Sequence, residues 1–121
     1  MIALPILLMG VPVPDSAPVL AAVKGCDRGE IRSMIRGEPH RRTEFAAAVY
    51  AEQRAIATER ATLLAGPADQ TVALAQLDAR QKELEDARAI ERAWRDLFDE
   101  ARADYLANCS PASAAGKKDA Q

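Results

Sequence analysis

Aromatic side chains are scarce in this chain: one Trp, two Tyr and two Phe among 121 residues. That scarcity argues against a thick globular core, because aromatics carry the largest buried areas per residue. Histidine is almost missing. His40 is the only one, and no Cys-x-x-Cys or His-x-x-x-His spacing accompanies it, so a metal site is not expected. No Gly-rich phosphate loop and no nucleophile-elbow motif occurs, so neither nucleotide chemistry nor acyl transfer is indicated and no cofactor is expected. An excess of positive charge is also lacking. The formal net charge is −2 and the pI about 5.4, which speaks against a nucleic-acid partner.

What remains is a helix-forming composition. Hydrophobic residues make up 49%, and much of that is alanine, which favours helix and buries little area. Charged residues reach 28% with both signs interleaved, the pattern of solvated helix faces. The carboxylates Glu83, Glu85, Asp86, Asp96, Asp99 and Glu100 belong to such faces. General acid–base chemistry needs a drier setting than they provide.

The N-terminal stretch differs from the rest. Ile2, Leu4, Ile6, Leu7, Leu8 and Met9 form a short apolar run, interrupted and followed by Pro5, Pro12, Pro14 and Pro18. A membrane-spanning helix needs about 20 apolar residues, and four prolines oppose one. The reading is a signal peptide over residues 1–21, cleaved before Ala22, with an apolar N-terminal arm as the alternative. It predicts a periplasmic or secreted protein. Val23-Lys24-Gly25-Cys26 has part of a bacterial lipobox, with Lys24 as its departure. Acylation of Cys26 is the one route by which the chain would meet a membrane.

Capping and periodicity then set the fold. Asp27 followed by Glu30 forms a capping-box pattern, and Ile31, Met34 and Ile35 follow at helical spacing. Gly37 supplies a stop, which predicts a short helix over 28–36. Pro39 opens a second helix over 39–65, carrying Phe45, Val49, Ile56 and Leu63 on one face. Gly66-Pro67 breaks the pattern, and Asp69 marks a third helix over 68–107 with Leu77, Leu84, Ala87, Trp94, Phe98, Ala101 and Tyr105 in line. Residues 110–121 read as a disordered tail. The expected fold is all-α: a long antiparallel, coiled-coil-like helical hairpin in the domain 22–109, with a short N-terminal helix.

Register follows from the turn. Across an antiparallel pair, the numbers of facing residues add to a nearly constant total. Ile56 with Leu77, Val49 with Leu84 and Ile35 with Phe98 satisfy one total. Arg80 then faces Glu52, and Glu91 faces Arg42, so the charged residues that interrupt the apolar stripe meet opposite charges. Cys26 and Cys109 fall together at the open end, where a disulfide would close a loop of about 80 residues and contribute about 4 kcal/mol in the chain-entropy model. Such agreement across levels favours the fold.

Two surfaces stand out. Arg36, His40, Arg41 and Arg42 form a basic cluster beside the expected second helix N-terminus, a possible anion site. Ile90, Trp94, Leu97, Phe98 and Tyr105 hold most of the large apolar area near the open end, and they are the expected partner-binding surface. The functional expectation is a non-enzymatic exported interaction module: an adaptor, inhibitor or chaperone-like binder. Its partner is another protein or a second copy of itself as a homodimer. The alternatives are a metal- or small-ligand-sensing bundle and a lipid-anchored envelope protein.

Overall fold

The computed structural model describes residues 14–109. The apolar run before residue 14 and the expected tail from 110 onward lie outside the described residues. Three helices account for nearly everything within them: α1 (Ser16–Lys24), α2 (Arg28–Ala65) and α3 (Thr71–Asn108). The fold is all-α, a helical hairpin with a short N-terminal helix and its ends tied by a disulfide. No described helix is long and apolar enough to cross a membrane.

α1 overlaps the end of the expected leader. Asp15 caps it, its side chain accepting from the Ala17 N–H at 3.0 Å. Pro18 falls in the first turn, where its missing N–H has no intrahelical role. Val19, Ala22 and Val23 recur at helical spacing and are buried. Residues 16–21, read from sequence as the end of a cleaved segment, therefore form most of a helix with a buried face. The i, i+3, i+4 pattern and the Asp15 cap were the available signals, and the apolar character of the stretch outweighed them. α1 ends in a left-handed turn. Cys26 has φ 50°, and the Asp27 and Cys26 N–H groups donate to Ala22 O and Val23 O at 2.9 and 3.1 Å. Glycine is the usual occupant of that position.

α2 begins as its sequence predicts, with the Glu30 N–H donating to Asp27 Oδ1 at 3.2 Å. It then runs through Gly37 and Pro39 without ending. The expected stop at 36 and restart at 39 do not occur. Glycine inside a helix costs only about 1 kcal/mol. Proline costs about 3 kcal/mol or more, and the seven-residue recurrence of Ile31, Glu38 and Phe45, all buried, shows what offsets it: both sides of the proline keep one face in register. Gly66 closes the helix, donating its N–H to Leu63 O at 3.1 Å. A Cβ there would lie 3.3 Å from that same carbonyl, so the tight turn favours glycine. α3 starts at Thr71 rather than 68, because Asp69 accepts from the Thr71 N–H at 3.0 Å and from the Thr71 hydroxyl. The hydroxyl bond first, then the backbone bond, hold the Asp69 carboxyl below the usual carboxylate range.

The described chain divides into two compact units, 40–91 and 14–39 with 92–109. In the first, α2 and α3 run antiparallel about the turn. Its core is Phe45, Val49, Ile56, Leu77, Leu84 and Ala87, flanked by Ala48, Leu63 and Leu74. Two of the expected facing pairs, Ile56 with Leu77 and Val49 with Leu84, draw on these residues. Leu84 is 1% exposed, and full burial of a leucine contributes about 1.5–3 kcal/mol. Glu91, buried to 2% exposure, is held bidentately by Arg41, with Nη1 to Oε1 at 2.9 Å and Nη2 to Oε2 at 2.8 Å. The register reading named Arg42, one residue away, for this role. Arg41, one residue before it, is a bidentate partner, with a side chain only 15% exposed.

In the second unit Val19, Ala22, Val23, Ile31, Trp94, Phe98, Ala101 and Tyr105 are buried. Buried Glu38 accepts from Trp94 Nε1 at 2.9 Å, and the Trp94 and Phe98 rings pack with centroids 5.6 Å apart. The Cys26–Cys109 disulfide joins the α1–α2 turn to the end of α3, with Cα atoms 5.4 Å apart.

Removing one partner of a buried charge pair is far more damaging than replacing both. Arg41→Leu is expected to destabilise the protein by about 3 kcal/mol, and Arg41→Leu with Glu91→Leu by less than about 1 kcal/mol. Chemical denaturation measures both. A single variant as stable as the double would show that the pair does not hold the register.

Candidate functional site

The turn end of the first unit presents an open groove of about 390 Å³ between α2 and α3. Four-residue spacing puts 58 with 62 and 59 with 63 on one helix, and 73 with 77 and 76 with 80 on the other, on neighbouring turns of the same face. Leu63, Ala73 and Leu77 sit on or beside the seam and form the more buried lining, while Thr58, Thr62 and Gln76 are exposed along the edges. Ala73 is the small residue of this set. A larger side chain in its place would occupy the groove.

A charge network borders the groove. Arg80 donates from Nη2 to Glu52 Oε1 at 2.6 Å and from Nη1 to Glu59 Oε2. The Glu52 pair was expected from register, and Glu59 is an additional partner two turns further along α2. The hydrogen bond to Glu52 is the largest influence raising the Arg80 pKa. Two carboxylates against one guanidinium leave this edge with an excess negative charge. Arg60 and Asp78 form a separate pair at 2.9 Å. Two large apolar side chains near the turn are exposed, Leu64 at 67% and Val72 at 73%.

The surface expected from sequence is mostly core. Trp94, Phe98 and Tyr105 are 7%, 5% and 8% exposed. They are corrected from partner-binding to buried positions of the second unit. The reason is spacing: they continue the 3,4,3,4 recurrence of Leu84, Ala87 and Glu91, which keeps them on the inward face. Leu97 is half-buried and Ile90 is 40% exposed, because each sits one position before an inward residue.

The basic cluster is also dispersed by the fold. An N-terminus at Pro39 would have offered free N–H groups, but α2 is continuous there, so those positions are helix interior. Arg41 is committed to Glu91. His40 is exposed and pairs with Glu44 one turn on at 2.8 Å. Arg42 is half-buried and Arg36 exposed. Acylation of Cys26 requires a free thiol, and its sulfur is bonded to Cys109. Among the described residues no group of three or more His, Cys, Asp or Glu side chains is placed to hold a metal ion.

Arg80 is half-buried and shared, so its loss should be felt modestly. Arg80→Ala is expected to lower stability by about 1 kcal/mol, with a smaller effect at 1 M salt, where exposed ion pairs are screened. Equal stability of variant and wild type at low salt would show that the network contributes nothing to the hairpin. Comparison of the chain with protein-family models, with curated proteins and with solved structures returned no match.

Proposed function

We propose that this chain is a non-enzymatic, exported interaction module, an adaptor, inhibitor or chaperone-like binder, that holds a basic amphipathic segment of another protein in the groove at the turn end of its first unit. The observation that carries this reading is the groove's apolar lining of Leu63, Ala73 and Leu77, with Glu59 and Arg80 also lining it and Glu52 sharing Arg80 from outside it, so that two carboxylates meet one guanidinium at this edge. Apolar side chains of the partner would fill the lining. Lysine or arginine flanking them would answer the excess charge. The same charge excess disfavours a second copy as occupant, since two like-charged edges would face each other. Exposed Val72 and Leu64 add apolar area at the same end.

A labelled 18-residue helical peptide of Leu and Lys tests the reading. Wild-type protein should bind it with an affinity that falls with salt. Ala73→Trp, which fills the groove, should weaken binding at least about tenfold, a change of about 1.4 kcal/mol. Equal binding by Ala73→Trp, or equal binding of a Leu and Glu peptide, would contradict the proposal. A concentration-dependent dimer abolished by Val72→Asp would give the surface to a second copy instead.

Export is part of the proposal and rests on the apolar N-terminal run and the paired cysteines. Because Val19 belongs to the buried face of α1, the mature chain should keep Asp15 and everything after it. Mass mapping of protein purified from its native host should find a start at or before Asp15, with Cys26 and Cys109 oxidised. A start at Ala22 would show that α1 is not part of the mature fold, and a chain from Met1 with two free thiols would show that it is not exported.

A further inference from the structure

We infer that the Cys26–Cys109 disulfide is a reducible latch that holds α1 on the second unit. Three observations within that unit converge. First, α1 has nine residues, fewer than an isolated helix needs to persist in water. Its helical state therefore depends on the burial of Val19, Ala22 and Val23. Second, the connection between α1 and α2 is a tight turn whose pivot, Cys26, lies in the left-handed region at φ 50°. A side chain other than glycine or asparagine is unfavourable there and persists when its surroundings enforce it. The bond from Cys26 to Cys109 is the covalent constraint acting on that residue. Third, Cys26 is an exposed residue and Cys109 a half-buried one. Exposed disulfides are the ones drawn into exchange.

The far end of the latch explains what release would uncover. The Cys109 N–H donates to Tyr105 O at 2.7 Å, and Cys109 Sγ lies 3.6 Å from Val23 O. Tyr105 and Ala101, one and two turns before Cys109, are buried in the same unit as the apolar face of α1. Reduction by a dithiol proceeds by exchange: one thiolate of the reductant attacks a sulfur of the bond and forms a mixed disulfide. The second thiol closes the reductant into its own cyclic disulfide. Two electrons and two protons pass to the protein, leaving Cys26 and Cys109 as thiols. The covalent link between the α1–α2 turn and the end of α3 is then gone, Cys26 is free to leave the left-handed region, and α1, held only by its backbone connection to α2, releases the apolar face of α3 around Tyr105 to solvent. This device is independent of the groove in the first unit.

Hydrogen exchange of the full chain, oxidised and after dithiothreitol, tests the latch. Amides of 16–24 should lose protection at least about tenfold on reduction while those of 45–65 and 71–87 change by less than about twofold, since local opening is read segment by segment. Binding of 1-anilinonaphthalene-8-sulfonate should rise in parallel. Cys26→Ser with Cys109→Ser should reproduce the reduced pattern without any reductant. Protection of 16–24 that survives reduction would overturn the proposal. So would a loss of protection in 45–65 and 71–87 as large as that in 16–24, because the bond would then be a staple for the whole fold rather than a latch on one helix.

Discussion

A carboxylate buried to 2% exposure in the seam of a two-helix unit is the constraint on which the rest of the first unit depends. Glu91 is tolerable there because Arg41 reaches it with both guanidinium nitrogens. The surrounding apolar pattern could not fix the register alone. Phe45, Val49 and Ile56 on one helix and Leu77, Leu84 and Ala87 on the other recur at heptad spacing, and a slip of seven residues would still set apolar against apolar. It would also carry Glu91 away from Arg41 and Arg80 away from Glu52. Buried polar positions are the best-attested means of removing such degeneracy.

Much of this was legible in the sequence because it follows from periodicity and charge. The turn at Gly66, the inward stripe of α3, the Glu52–Arg80 pair and the Cys26–Cys109 bond all stem from one register. The misreadings have definite physical sources. The Arg41 contact to Glu91 was missed because Arg41 and Arg42 both lie near the seam, and a heptad argument cannot separate adjacent residues. Gly37 and Pro39 are helix breakers by local propensity, but the face shared by Ile31, Glu38 and Phe45 overrides them. α1 was hidden because a nine-residue amphipathic helix and the end of a leader look alike in composition.

The candidate site was the least legible part. Size drew attention to Trp94, Phe98 and Tyr105, yet in a chain with few aromatics the large side chains are the ones the core recruits first. The groove lies instead where side chains are small, between Ala73 and two threonines, and smallness carries no signal in a sequence. Arg80 links the two themes. It holds register through Glu52, and through Glu59 it borders the groove, so the residue that fixes the helices also sets the charge a partner meets.

Charge reversal at the buried pair tests the central claim most directly. Arg41→Glu and Glu91→Arg would each bring like charges together in the seam, and the two changes combined would restore an opposite pair in reversed order. The account predicts that each single variant loses several kcal/mol and that the double variant recovers more than half of the larger loss, a coupling that only residues in direct contact show. A double variant no more stable than the weaker single would contradict the claim that this interaction sets the register.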